Sequence, residues 1–236
     1  MSEIIIRNNQ DIDLMLDEML EDKFGEWWDS FYSDKERQIP FLVNYPSENL
    51  IEYLDKYKIK PGFALDIGCG NGRNSMYLAQ NGFTVTALDF SAESIKLAKE
   101  SNSHKNIKYI NVSFFDYQTE DKKYDLVYDG GCLHNIPPHR RFKYLEKVRE
   151  SLKDDGFYGM EIFNEEGGAD LSDYDVYIEK SMKGGIAYSE AKLKKVLEPF
   201  FTLIELRKMK EINDGSAFGK KFCWAVIMKK PSTERI

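Results

Sequence analysis

The sequence predicts a doubly wound α/β fold, a mostly parallel sheet of seven strands with a helical N-terminal cap. Three observations predict it. First, Phe63-Ala64-Leu65 runs into Asp66, then into glycines at 68, 70 and 72, and a helical Met76-Tyr77-Leu78-Ala79 stretch follows that Gly82 stops. Strand, tight glycine turn and helix open a βαβ unit of a parallel sheet. Second, strand-length apolar runs alternate with helical periodicity, and acids stand where successive strands end, at Asp66, Asp89 and Asp116. Third, the apolar segments Phe200–Leu206 and Phe222–Met228 are joined by a glycine-containing loop, which suits an antiparallel pair at one sheet edge.

The elements follow in order. Ile12, Met15, Leu16, Met19 and Leu20 repeat at i, i+3, i+4, i+7 and i+8, which predicts an amphipathic helix over 11–23 with that stripe as its buried face. The aromatic run 24–32, with Phe24, Trp27, Trp28, Phe31 and Tyr32, precedes the strand pattern. It reads equally as packing of the N-terminal helix onto the domain or as a lid over a bound cation. A helix over 47–57 is closed by Lys60-Pro61-Gly62. The expected division is therefore a cap over 1–58 and an α/β domain over 59–236. The second strand, Phe83–Leu88, ends at Asp89, and Ser91 caps the helix after it. Ile107–Ile110 and Tyr124–Tyr128 are the third and fourth strands. Pro138 opens a helix with the stripe Phe142, Leu145, Val148 and Leu152. Asp154-Asp155-Gly156 turns the chain into a fifth strand, Phe157–Phe163. The connection 164–187 is long, polar and glycine-containing, a length that tends to carry function or disorder. Ser189 caps a further helix.

Composition narrows the function. The chain has 236 residues, a length for one α/β domain with a small cap, and a net charge of −7. That charge argues against sequence-independent nucleic-acid binding, which depends on neutralising phosphates. No signal-peptide pattern or span of about 18 apolar residues is present, so no membrane partner is expected and a cytoplasmic protein is. Cys69, Cys132 and Cys223 are too few and too scattered for a disulfide framework or a zinc site, and no metal is expected. Oligomeric state is not readable.

The glycine spacing selects the ligand. A dinucleotide fingerprint needs G-x-G-x-x-G, and here Arg73 occupies the third glycine's place. Asp66 at the strand's end suits an ammonium better than a phosphate. Asp89 lies about twenty residues beyond the loop, where a carboxylate meets the hydroxyls of a ribose.

D-x-G-x-G-x-G resembles the first motif of class I S-adenosylmethionine-dependent methyltransferases, and the strand pattern extends the likeness over most of the chain. Gly72-Arg73-Asn74-Ser75 and Gly82–Ser91 resemble bacterial small-molecule enzymes related to the thiopurine and tellurite-resistance methyltransferases. The resemblance implies a Rossmann-like methyltransferase fold and S-adenosylmethionine as cofactor. It places the methionine ammonium at Asp66 and the Gly68-Cys69-Gly70 backbone, and the ribose at Asp89. Adenine falls to Asp116 and the backbone near Phe115, with Phe90 or Phe115 on its ring face. Main chain at Asp129 flanks the methionine, and the methyl points at Gly130–Asn135. An N-terminal aromatic segment covers the cofactor in that group, a part open here to Trp28 and Tyr32.

The expected acceptor is a small molecule held among Gly131–Pro137, including Asn135, with Glu161 and the 164–187 connection. His134 is the candidate general base, with a structural His134 as the alternative reading. Nucleic-acid amino-methylation would want Asn-Pro-Pro-aromatic after the fourth strand, whereas this chain has Asn135-Ile136-Pro137-Pro138-His139. A cofactor-binding module without turnover is the alternative from a different class.

Overall fold

The protein is described from a computed structural model, which covers residues 4–20, 24–33, 41–119 and 123–231, with the side chains of 24–27 and 31 outside the description. The side chains of Phe24, Trp27 and Phe31 of the aromatic run, and positions 21–23 of the first helix, therefore lie outside the description.

Seven strands form one sheet in the order β3-β2-β1-β4-β5-β7-β6. They are β1 Phe63–Ile67, β2 Thr84–Asp89, β3 Ile107–Asn111, β4 Tyr124–Gly130, β5 Leu152–Phe163, β6 Thr202–Lys208 and β7 Cys223–Lys229. The first five are mutually parallel; β7 is antiparallel to both β5 and β6. The helices are α1 Asn9–Met19, α2 Phe24–Ser33, α3 Glu48–Lys56, α4 Arg73–Gln80, α5 Ala92–Ser101, α6 Pro138–Ser151, α7 Asp173–Ile178 and α8 Glu190–Leu197. Order reverses between β1 and β4, so loops leaving their carboxyl ends diverge and open a crevice there.

Alternation along each strand builds a core on both faces. Leu65, Val127, Val226 and Met228 face the layer of α6 and α8, while Ala64, Leu126, Ala225 and Ile227 face Leu50 and Tyr53 of α3 and Leu78 of α4. Thus α3 is built into the core beside the sheet. β5 begins at Leu152, before the expected turn: Asp155 sits in the left-handed region (φ 62°) and the β4–β5 register shifts between Tyr124 and Leu126. Aspartate tolerates that conformation, so the turn becomes an irregularity inside one strand.

Two amphipathic expectations hold only in part: of the α6 stripe Leu145, Val148 and Leu152 are buried as expected while Phe142 is not, and of the α1 stripe Leu20 is buried while Ile12 and Met19 are exposed. On α1 the buried residues are Asp11 and Asp13, while Ile12, Leu14 and Met19 are exposed. The helix docks by charge: Asp13 pairs with Lys143, and Asp17 with Arg140 and with His139 at 3.0 Å, all on α6. On α6 Phe142 is exposed, meeting Phe200 edge-on, and the buried stripe is Arg141, Tyr144, Leu145 and Val148. The 164–187 connection contains α7 and buries Val176, Met182 and Ile186. No helix among the described residues is long and apolar enough to cross a membrane.

Candidate active site

A cavity of about 760 Å³ opens at the carboxyl ends of β1, β2, β4 and β5, covered from one side by Trp28 and Tyr32 of α2. The glycine loop forms its floor. Gly68 (φ +63°) approaches the β4 exit so closely that a Cβ there would lie 2.1 Å from Cys132 Sγ. Gly72 (φ +80°) leaves room for the Tyr109 hydroxyl, 2.3 Å from where its Cβ would be. The Tyr32 hydroxyl stands over Gly70, 3.2 Å from its would-be Cβ.

Asp89 lines the cavity at the end of β2, its Oδ2 accepting from Gly70 N at 3.0 Å and its Oδ1 from Ser91 N at 2.9 Å. One carboxylate thereby joins the glycine loop to the start of α5. Each oxygen keeps a lone pair, enough to accept from a cis-diol. Burial raises its pKa, opposed by those two N–H donors. The Ser91 hydroxyl donates to Asp29 of α2 at 2.6 Å, so the covering helix is tied to the same corner. Phe90 and Phe115 line this end.

Asp66 is placed differently from the expectation. It is buried beneath the loop, does not line the cavity, and accepts from Ser75 Oγ at 2.5 Å on the first turn of α4. Burial pushes its pKa up to about 7. It shapes the loop rather than presenting a carboxylate to the cavity. Asp116 also departs: it is exposed on the turn after β3, and Ser113, Phe114 and Phe115 line the cavity in its stead. Asp129 is fully buried, its carboxylate accepting from the backbone N–H groups of Gly131, Cys132 and Leu133 and from the hydroxyls of Tyr144 and Tyr158. It thus fixes the turn Gly130–Asn135. Burial raises its pKa to about 6 against those donors.

His134, Asn135 and Glu161 line the far end. The His134 ring stacks on Phe163 with centroids 3.8 Å apart, and its Nδ1 accepts from Phe163 N at 3.4 Å. Burial pushes its pKa down to about 3. With Nδ1 taken by Phe163 N and one ring face covered by Phe163, the arrangement suits the structural reading of His134 over the general base. Asn135 donates to Gly131 O at 3.0 Å and braces the turn. Glu161 meets Arg73 Nη2 at 2.7 Å through Oε1 and the Ser47 hydroxyl at 3.0 Å through Oε2.

In the sequence Arg73 stands as a missing fingerprint glycine and as part of the Gly72-Arg73-Asn74-Ser75 resemblance, without a role in the site. Structurally it starts α4, pairs with Glu161 across the sheet, donates to Ser47 at 2.8 Å, and places its guanidinium 4.3 Å from the centre of the Phe218 ring. Asn71 and Asn74 reach the same segment, Asn71 donating to Val43 O and Asn74 accepting from Ser47 N. Polar residues following a glycine loop were the available signal. Phe163, Phe218 and Phe222, which wall the far end, are spread over 60 residues and carried none.

The residues suit S-adenosylmethionine: a close-approach glycine floor, a carboxylate with free lone pairs at the ribose position, and a volume for a nucleoside with an acceptor beside it.

Comparison with known proteins agrees. Residues 64–156 match the family model described as a methyltransferase domain. The 2-heptyl-1-hydroxyquinolin-4(1H)-one methyltransferase of Mycobacteroides abscessus is 21% identical over 182 residues, covering 76% of this chain and 75% of its own. The probable S-adenosyl-L-methionine-dependent methyltransferase TehB of Haemophilus influenzae is 35% identical over 101 residues, 42% of this chain and 35% of its own. The chain spans half or less of several other curated relatives. Among solved structures, the 1,6-didemethyltoxoflavin-N1-methyltransferase of Burkholderia thailandensis, with bound 1,6-didemethyltoxoflavin and S-adenosylhomocysteine, superposes with a TM-score of 0.67 at 18% identity, over 97% of this chain and 92% of that one.

Proposed function

We propose that this chain, whose residues 64–156 match a methyltransferase domain, is an S-adenosylmethionine-dependent methyltransferase that methylates a small-molecule acceptor in the cytoplasm. The carrying observation is the Asp89 carboxylate, bonded to the Gly70 N–H of the glycine loop while lining a cavity that continues past the cofactor's position to His134 and Glu161. The acidic chain supports a small acceptor over a nucleic acid. So do the acceptors named for the mycobacterial and Burkholderia relatives.

Bound S-adenosylmethionine supplies a methyl made electrophilic by its sulfonium. The chain's residues then align and exclude water. Asp89 accepts from the ribose hydroxyls. Phe90 and Phe115 hold the adenine ring, with backbone at Ser113–Phe115 along its edge. The Gly68–Gly70 backbone and main chain at Asp129 and Gly130 take the methionine portion, Asp66 acting from beneath by fixing the loop. Trp28 and Tyr32 close over it. His134 and Asn135 shape the acceptor wall, His134 as a neutral ring.

Calorimetry with S-adenosylmethionine, S-adenosylhomocysteine and NAD tests the cofactor reading: binding of the first two and not the third is expected. A radiolabel screen over thiols, phenols, amines and carboxylates, with tRNA and duplex DNA included, tests the acceptor. Labelling of a nucleic acid and of no small molecule overturns the reading.

A further inference from the structure

We propose that Glu161 is the proton acceptor of the transfer and that the acceptor is an aromatic hydroxyl compound. The inference rests on the methyltransferase reading and adds a residue and a substrate class to it.

Three carboxylates line the cavity among the described residues: Asp17, Asp89 and Glu161. Asp17 is engaged with Arg140 and His139 at the α1 rim, and Asp89 with the glycine loop. Glu161 alone stands at the β4–β5 exit. It pairs with Gly130 in the sheet register, and its Oε1 lies 3.3 Å from where a Cβ on Gly130 would be. Asn74 Nδ2 stands at the same distance from that point, and Glu161 and Gly130 both line the cavity.

Arg73 and Ser47 take one bond on each oxygen, so each retains a lone pair. Arg73 offsets the cost of the buried charge and remains as counter-ion while Glu161 changes charge. Burial raises the Glu161 pKa, opposed by Arg73, and Glu48, Asp66, Tyr128, Cys132 and Cys223 are the other titratable groups around it. A carboxylate so raised is a better base.

The ring walls define the class. Phe163, stacked on His134, meets Phe222 edge-on at 6.1 Å, and Phe218 lies under the Arg73 guanidinium. A slot walled by rings favours a flat aromatic partner. A neutral hydroxyl is a poor nucleophile until it loses its proton, so it is the acceptor for which a carboxylate base matters. In the step, the O–H bond breaks and its proton passes to Glu161. The oxygen's electron pair forms the new O–CH₃ bond. The pair of the breaking C–S bond stays on sulfur, leaving a neutral thioether. Glu161 returns the proton to water after release.

The test uses the full chain with labelled S-adenosylmethionine and 4-substituted phenols running from 4-nitrophenol, ionised at pH 8.5, to 4-methylphenol, which is not. Glu161→Gln is expected to lower turnover on 4-methylphenol by ~10²–10⁴-fold and on 4-nitrophenol less than about 5-fold, with S-adenosylhomocysteine affinity within about 3-fold of wild type. Equal losses on both phenols, or none on either, overturn the proposal. So does a protein that binds S-adenosylhomocysteine yet labels no phenol, whereas failure to bind it overturns the methyltransferase reading instead. If Glu161→Gln does not fold, the wild-type pH profiles decide: kcat/KM must show an acidic limb with 4-methylphenol that flattens in the 4-nitrophenolate range, and matching profiles overturn the assignment.

Discussion

Single side chains at the cavity do two kinds of work, and substitution separates them. Asp89 lines the cavity and holds backbone at once. Asp89→Ala removes two charge-assisted hydrogen bonds to a ribose and is expected to weaken S-adenosylhomocysteine by ~1.5–3 kcal/mol, ten- to over a hundred-fold by calorimetry; unchanged affinity would remove it from the site. Asp66 works from below. Its folded-state pKa, near 7, lies above the ordinary carboxylate value, so the folded protein holds the proton that the unfolded chain releases first. Stability from this group is thus fully present below about pH 4 and is lost as pH rises through 7. Urea melts at pH 5 and pH 8 should show that fall, and Asp66→Asn should shrink it by on the order of 2 kcal/mol. An identical fall in the variant refutes the assignment. Cys132 limits Gly68 just as firmly: Gly68→Ala brings a methyl against its sulfur in a left-handed backbone and should abolish cofactor binding.

At the scale of elements, the N-terminal helices show how charge overrides periodicity. α1 turns Asp13 and Asp17 towards the basic face of α6 and leaves Ile12 and Leu14 outside. Ile12→Ser should therefore change stability by less than ~0.5 kcal/mol, while Asp17→Ala loosens α1 from Arg140 and His139. Hydrogen exchange over residues 9–19 reads the difference, and the reverse ranking would restore the apolar stripe as the docking face. α2 is anchored where ligand binds, through Asp29 on Ser91 and Tyr32 over Gly70. Cofactor is expected to slow exchange across 24–33; equal exchange with and without it would make these aromatics ordinary packing.

Over the whole molecule, the Arg73–Glu161 pair bridges distant parts of the chain: it joins α4 to β5 and, through Ser47, to the segment before α3. Removing one partner leaves a buried charge uncompensated, so Arg73→Met is expected to cost ~3–5 kcal/mol. Combining it with Glu161→Gln should recover much of that loss, and additive losses in denaturant melts would show that the two do not act as a pair.

The sequence by itself determined the sheet and the glycine loop with the acid at the end of β2. Strand runs, glycine spacing and the acid at the end of β2 are local patterns, because backbone that must turn tightly or meet a ligand restricts the residues at consecutive positions. The parallel βαβ units and the antiparallel edge pair β6–β7 were legible in the same way, while the strand order was not. Only the tertiary structure decided the rest. Which stripe of α1 is buried depended on the charges of α6, some 120 residues away. How deeply His134 is buried depended on Phe163 stacked across its ring, and whether Asp66 reaches the cavity depended on Ser75 beneath the loop. Arg73, read in sequence as a glycine that was not there, became a partner of Glu161 because β5 returns beside β4. A side chain's environment is set by neighbours in space, and burial shifts a proton equilibrium by amounts that residue identity does not carry.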